Sequence, residues 1–188
     1  MSPDTTVLED RAIGCLLGAA VGDAAGGTLE FLQGPLTPGQ VDHAMRMPGG
    51  GVLGVAPGQV TDDMELTLCL ADALADSDAF DIEAVARSYA RWIDSSPFDI
   101  GTTTRASLGS FRDADWSGVC DRDGYASCMK QAAELRCSGS KANGSLMRSA
   151  PLGIWGHNLV DEALARLAIE DSSLSHPNPS CCQAVACY

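Results

Sequence analysis

Apolar residues recur at helical spacing in one segment of this chain after another. Leu8, Ala12, Ile13, Leu16, Leu17, Ala20 and Val21 step by three and four, which marks a helical face. Residues 61–75 predict a helix with Leu66, Leu70, Ala73 and Leu74 on its apolar side. Residues 81–93 predict another, with Ile82, Val85, Ala86, Tyr89 and Ile93 on one face. Segments 102–111, 125–136 and 159–174 read as helical, and 180–188 begins a further helix after the break at His176-Pro177-Asn178-Pro179. No segment sustains the period-two alternation of β-branched residues, so the expected fold class is all-α.

The interruptions carry their own information. Residues 35–58 are Gly- and Pro-rich and aperiodic, so they read as a loop. That loop exceeds the ~12–15 residues usual for structureless connections, which points to a functional rim. Residues 116–123 read as a turn region and 137–144 as a polar loop. Gly14, Gly18, Gly22 and Gly26 fall four apart, in one row of a helix. Each costs ~1 kcal/mol against alanine there. The row predicts a groove for close approach by another backbone or a ligand, with chance in a Gly-rich chain as the alternative.

Composition then narrows the class. The chain has 188 residues, 45% of them hydrophobic and 20% charged, which is ordinary globular usage. Lys and Arg number 12 against 25 Asp and Glu, a net charge of −13. With no basic run, neither nucleic acid nor an anionic membrane is an expected partner. The longest uncharged apolar-and-small stretch, residues 12–22, is too short for a bilayer span. Met1-Ser2-Pro3-Asp4 lacks the basic start of a secretory signal. The eight cysteines form no C-x-x-C pair and fall mostly inside apolar patterns. They read as small buried hydrophobes of a reducing compartment, hence a cytoplasmic protein.

Four segments hold residues able to do chemistry. In Thr61-Asp62-Asp63, the threonine suits a helix N-cap and the acids suit the first turn. The same three residues offer several oxygen ligands for Mg²⁺ or Mn²⁺. In the segment from Gly22 to Glu30, Asp23 and Glu30 mark either a solvated helix end or the rim of a cleft kept open by small residues. In Asn143-Gly144-Ser145-Leu146-Met147-Arg148-Ser149-Ala150-Pro151, the Asn-Gly pair signals a turn, and the rest reads as a short helix stopped by proline. Alternatively, backbone N–H groups there, with Ser145 and Arg148, hold a phosphate or ribose. In Ser175-His176-Pro177-Asn178, the histidine is either structural or borders a cleft. His43 and His157 have no supporting context.

In this order and spacing, the four segments resemble the ADP-ribosylglycohydrolase family, of the dinitrogenase-reductase-activating glycohydrolase type. The residues that carry the resemblance are the run from Arg11 through Asp23 to Gly26, then Glu30, Thr61-Asp62-Asp63, the Asn143–Pro151 segment and Ser175-His176-Pro177-Asn178-Pro179. The resemblance implies one domain over residues 8–188, folded as an orthogonal helical bundle with a metal-containing cleft. It implies two divalent cations, Mg²⁺ or Mn²⁺, with Thr61, Asp62 and Asp63 as metal ligands. Glu30, Asp62 and Asp63 are then the catalytic acids. Asn143, Gly144, Ser145 and His176 contact ADP-ribose. The implied substrate is an ADP-ribosylated protein side chain or an ADP-ribosyl small molecule, cleaved at the ribose C1″.

Family members carry a further Asp-x-Asp-Ser/Thr motif beyond the histidine motif, and these 188 residues lack it there. Asp76-Ser77-Asp78 and Asp121-Arg122-Asp123 have related spacing but precede His176. The expectation is therefore a bundle incomplete at its C-terminus, best read as a portion of a longer hydrolase; a partner chain that completes the site is the other route to activity. The alternative is a shortened, non-catalytic relative that binds ADP-ribose or has a structural, crystallin-like role.

Overall fold

The structure, a computed structural model, describes the backbone of residues 3–75 and 77–188 and the side chains from Thr6 onward. Met1, Ser2 and Asp76 lie outside the described residues. Within them the regular elements are helical: α1 (Pro3–Gly26), α2 (Pro38–Ala44), α3 (Asp62–Leu74), α4 (Ile82–Asp94), α5 (Thr102–Leu108), α6 (Ala114–Asp123), α7 (Tyr125–Cys137), α8 (Ala150–Trp155), α9 (Asp161–Ser173) and α10 (Pro179–Cys187). A single 3₁₀ turn spans Ser110–Arg112. The all-α expectation stands. The chain divides into two compact units, Met1–Glu65 and Leu66–Tyr188.

In the first unit, α1 carries more apolar surface than one face can bury. Ala12, Leu16, Ala19, Ala20 and Asp23 form its half-buried stripe. Ile13 and Leu17 lie on another side, 58% and 60% exposed, and Val21 continues that row. The glycine row predicted as a groove meets nothing: a Cβ added at Gly14, Gly18, Gly22 or Gly26 finds no atom within 4 Å. The three- and four-residue period thus marked a helix without marking a partner for the glycines.

The predicted 35–58 loop contains a helix. Thr37 accepts from Gln40 N–H while the Gln40 side chain accepts from Thr37 N–H, and Pro38 occupies the first turn of α2. That reciprocal cap is legible as Thr-Pro-x-Gln, yet the helix is too short for periodicity to reveal it. Beyond α2 the chain tightens around glycines. Gly50 and Val55 exchange two backbone hydrogen bonds. Gly51, at φ +69°, lies so close to the Thr28 carbonyl that a Cβ would come within 2.5 Å of it.

The second unit has the continuous core. Asp81 caps α4 through the N–H groups of Glu83 and Ala84. Val85, Ala86, Tyr89, Ala90 and Ile93 then bury one stripe of that helix. Leu70 and Leu74 of α3, Leu108 of α5, Met129 of α7, Leu152 of α8, Ala168 of α9 and Val185 of α10 complete the core. Helix α7 touches α4, α5, α6 and α9.

Three boundaries differ from expectation for physical reasons. The segment 116–123 is helix α6, not a turn; its apolar stripe is only Trp116, Val119 and Cys120, half-buried and too short for periodicity to stand out. The 102–111 helix stops at Leu108, where Gly109 fits so tightly that a Cβ would lie 2.7 Å from the Arg105 carbonyl. Pro151 starts α8 instead of stopping a helix, since proline is tolerated where N–H groups have no intrahelical partner. All eight cysteines are free; Cys128, Cys137 and Cys181 are buried, whereas Cys15 and Cys187 are exposed.

Helix α7 is capped from a distance. It follows Gly124, which has no side chain to offer and sits at φ +87°. The Glu83 carboxylate accepts from the N–H of Tyr125 (3.1 Å) and of Ala126 (2.8 Å). We expect Glu83→Ala to lose about 1–2 kcal/mol of stability, as for removal of an N-cap. Urea unfolding of the two proteins measures it. An unchanged midpoint would show that Glu83 does not cap α7.

Candidate functional site

Asp23 organises the first unit's cluster. It lies near the C-terminal end of α1, and its carboxylate is bound by the start of α3. Oδ2 accepts from Thr61 N–H (2.8 Å) and Met64 N–H (3.0 Å), and Oδ1 accepts from the Thr61 hydroxyl (2.7 Å). A carboxylate at a helix N-terminus is favoured by the dipole and satisfies orphan donors. The cap expected from Thr61 is therefore supplied by Asp23, 38 residues earlier. Asp23 is neither a solvated helix end nor an open rim; it is a bracket.

That bracket fixes the orientation of the Thr61-Asp62-Asp63 turn. Thr61 is buried, and its hydroxyl proton is committed to Asp23, which leaves its oxygen lone pairs as acceptors. Asp62 is only 8% exposed and Asp63 is half-buried. Gly27 packs against Thr61, where a Cβ would stand 3.1 Å from Thr61 Cγ2. Glu30 is exposed in the turn after α1, with its N–H donated to the Gly26 carbonyl. Among the described residues no group of three or more His, Cys, Asp or Glu side chains converges as a metal cage. The donors present are two carboxylates and a hydroxyl on one turn. They suit Mg²⁺, which takes few protein ligands and completes its shell with water and phosphate.

In the second unit, Arg148 occupies the centre. It is 0% exposed. Nε donates to Asp171 Oδ2 (3.1 Å) and one terminal nitrogen donates to the Asp171 carbonyl (3.0 Å). The other donates to the Gly144 carbonyl (3.0 Å) and to Ser175 Oγ (2.9 Å). The Tyr89 hydroxyl donates to Asp171 Oδ1 (2.8 Å), and the guanidinium stacks 4.6 Å from the Tyr89 ring centroid. Burial alone would ease proton loss from Arg148, but the Asp171 carboxylate outweighs it and holds the guanidinium charged. Burial, with Asp171 beside it, raises the Tyr89 hydroxyl well above its usual range. The reading of Arg148 as a phosphate or ribose holder is corrected: its donors point inward.

The structure brings Gly144, Ser145 and His176 together and leaves Asn143 exposed. A Cβ at Gly144 would lie 2.7 Å from His176 Cε1 and 2.9 Å from Thr104 Oγ1, so the position excludes every side chain. Ser172 Oγ sits 2.9 Å from Ser145 Oγ and 3.0 Å from the His176 carbonyl. His176 itself is 1% exposed, with Nδ1 2.9 Å from Ser175 Oγ. His43 and His157 are exposed and belong to neither cluster.

Sequence reasoning gave no site role to Thr104, Asp171 or Ser172, placed Tyr89 only on a core face, and named Ser175 without a task. A signal existed for Asp171 and Ser172. The inner stripe of α9 runs Leu164, Leu167, Ala168 and then turns polar at Asp171 and Ser172, and Ser175 follows at the same spacing in the turn after the helix. Polar residues on a buried stripe point to a partner inside.

Burial and the nearby Arg148 charge lower His176 from 6.5 to about 4. The unfolded chain therefore binds the extra proton between those values, and stability rises with pH through that window. The contribution is complete above pH 6.5 and is lost as pH falls towards 4. An NMR titration of the His176 ring should give a midpoint near 4. A midpoint between 6 and 7, the ordinary histidine range, would contradict the buried environment.

The ADP-ribosylglycohydrolase family model matches residues 4–188. ADP-ribosylarginine hydrolase Tri1 of Pseudomonas putida (strain GB-1) is 34% identical over 189 residues, which covers 94% of this chain and 45% of the relative. ADP-ribosyl-dinitrogen reductase glycohydrolase of Rhodospirillum rubrum is 41% identical over 101 residues, 54% of this chain and 34% of that protein. Among solved structures, a chain of an ADP-ribosylglycohydrolase-related protein complex superposes with a TM-score of 0.70 at 31% identity, over 95% of this chain and 53% of its own. The chain thus spans about half the length of the relatives it matches most fully. The family match reaches both clusters, and by it the chain belongs to the ADP-ribosylglycohydrolase family.

Proposed function

We propose that this chain serves a metal-dependent hydrolase that releases ADP-ribose from ADP-ribosylated protein side chains or a related ADP-ribosyl compound. The observation that carries the reading is the Thr61-Asp62-Asp63 turn, bracketed by Asp23 within a chain that the family model covers from residue 4 to 188. Two relatives bear names that describe removal of ADP-ribose, one from arginine and one from dinitrogen reductase. In this reading Thr61, Asp62 and Asp63 hold the divalent cation, and the resemblance extends that to a pair of Mg²⁺ or Mn²⁺ ions. When bound, such a cation orients ribose hydroxyls, lowers the pKa of water and offsets the ligand's negative charge.

The chain's own groups have separate tasks. Departure of the group on C1″ builds positive charge on the sugar, which a carboxylate near it stabilises electrostatically. Glu30, exposed beyond α1, suits a general base or a gate. The Asn143-Gly144-Ser145 turn and His176 take the ADP-ribose. A cytoplasmic location follows from the same reading, supported by eight unpaired thiols. The alternative, a second reading, is binding of ADP-ribose without turnover.

Calorimetric titration with ADP-ribose, with Mg²⁺ and with a chelator, tests the proposal. Binding is expected with Mg²⁺ and is expected to vanish in the double variant Asp62→Ala, Asp63→Ala, with the helical circular dichroism unchanged. Full binding by the double variant would overturn the metal assignment. Release of ADP-ribose from ADP-ribosylated arginine separates the hydrolase from the pure binder: binding without release supports the second reading.

A further inference from the structure

Among the described residues, two buried side-chain polar atoms lack a hydrogen-bond partner, Thr28 Oγ1 and His176 Nε2. Native interiors rarely leave such atoms unmatched, so each requires a reason. For His176 the surrounding bonds supply one.

Ser175 Oγ stands 2.9 Å from an Arg148 terminal nitrogen and 2.9 Å from His176 Nδ1. An arginine can only donate, so one lone pair of the serine oxygen is taken. The serine's own proton then has Nδ1 as its acceptor. If Nδ1 carried the ring proton instead, the Ser175 O–H would be a buried donor with no acceptor, and Nε2 a buried acceptor with no donor. The first arrangement leaves one orphan and the second leaves two. A doubly protonated ring is opposed by burial and by the Arg148 charge behind Ser175.

We infer that Ser175, anchored by Arg148, is a positioning residue that fixes His176 as the neutral tautomer protonated on Nε2, so that the ring acts as a hydrogen-bond donor and not as a base. The lone pair a base would need is on Nδ1, where the serine proton occupies it. The unmatched Nε2–H lies against the Gly144 turn, within 3.0 Å of where a Cβ would stand. This donor is held ready for an acceptor oxygen of the ligand that enters beside that turn. Only this last step rests on the proposed function; the tautomer belongs to the free protein. The chain of influence runs from Asp171 through Arg148 and Ser175 to the imidazole, each link a bond of 2.9–3.1 Å.

Nitrogen-15 NMR of the histidine rings in the intact chain, without ligand, reads the tautomer directly at neutral pH. The expected spectrum has a protonated Nε2 and a bare Nδ1 for His176. Ser175→Ala should shift the ring towards a mixture of tautomers, and Ser175→Thr should restore the original form. A wild-type ring protonated on Nδ1, or an unchanged tautomer in Ser175→Ala, would overturn the inference. For the ligand step, His176→Gln keeps an N–H donor whereas His176→Phe does not. ADP-ribose binding should weaken about tenfold in the phenylalanine variant, a difference of ~1.4 kcal/mol, and should survive in the glutamine variant. Equal loss in both would overturn the donor role. If the wild type binds no ADP-ribose at all, the functional reading fails and the tautomer result still stands or falls by itself.

Discussion

The buried pair between Arg148 and Asp171 is the constraint on which the second unit's site depends. Neither side chain has appreciable access to water. Removing two charges from solvent is costly, and their attraction repays it only when every remaining donor and acceptor is matched. Here the matching is extensive. Asp171 also accepts from Tyr89, and Arg148 also reaches Gly144 and Ser175. Those bonds join four stretches of chain: α4, the turn after Gly144, α9 and the segment that ends at His176. A pair of similar apolar residues would fill the volume equally well. It would not hold the Gly144 carbonyl and the Ser175 hydroxyl in fixed positions, and those positions define the histidine's surroundings.

The first unit meets a related requirement with one acid. Asp23 accepts three hydrogen bonds, two of them from backbone donors that the first turn of α3 leaves unpaired. Its carboxylate is thereby consumed in positioning its neighbours. Asp62 and Asp63 follow on the turn it fixes. In the first unit an acid from a distant stretch of sequence thus holds a short segment by its backbone; in the second, Asp171 binds the side chains of Tyr89 and Arg148, and Arg148 holds the Gly144 carbonyl. The preorganisation this gives is what electrostatic catalysis and ion binding need, because groups already in place cost little to orient when a ligand arrives.

Much of the fold was legible in the sequence because helices that bury a stripe announce it. Helix α4 is the clearest case, with Val85, Ala86, Tyr89 and Ile93 spaced as a core face and Asp81 as its cap. Helix α6 was not legible, because its stripe is only Trp116, Val119 and Cys120, half-buried among polar residues. Helix α2 was hidden by length, although its Thr37–Gln40 box was present. The glycine row of α1 borders open space within the described residues, and spacing along one helix carries no information about what approaches it. At the candidate site, residue types and order were enough to nominate Thr61, Asp62, Asp63, Gly144, Ser145 and His176. The contacts that support them were not legible for a simple reason: Asp23 to Thr61 and Tyr89 to Asp171 meet across 38 and 82 positions, and periodicity is blind to such separations.

The net charge of −13 first reads as an obstacle to a ligand bearing phosphates. The local arrangement changes that assessment. The central cation of the second unit, Arg148, is neutralised by Asp171 and shielded from solvent, so it cannot attract a phosphate at range. Nor does His176 add positive charge near neutral pH, with its proton lost at about 4. Under the proposed function, what the second unit offers an anionic sugar nucleotide is therefore dipolar: N–H and O–H donors at a turn where Gly144 admits no side chain. Under that proposal, long-range attraction falls to a bound cation. The Thr61-Asp62-Asp63 turn, two carboxylates and a hydroxyl with no basic residue among them, has the chemistry to recruit one. Under the proposed function, such a cation would reconcile an acidic chain with an anionic ligand.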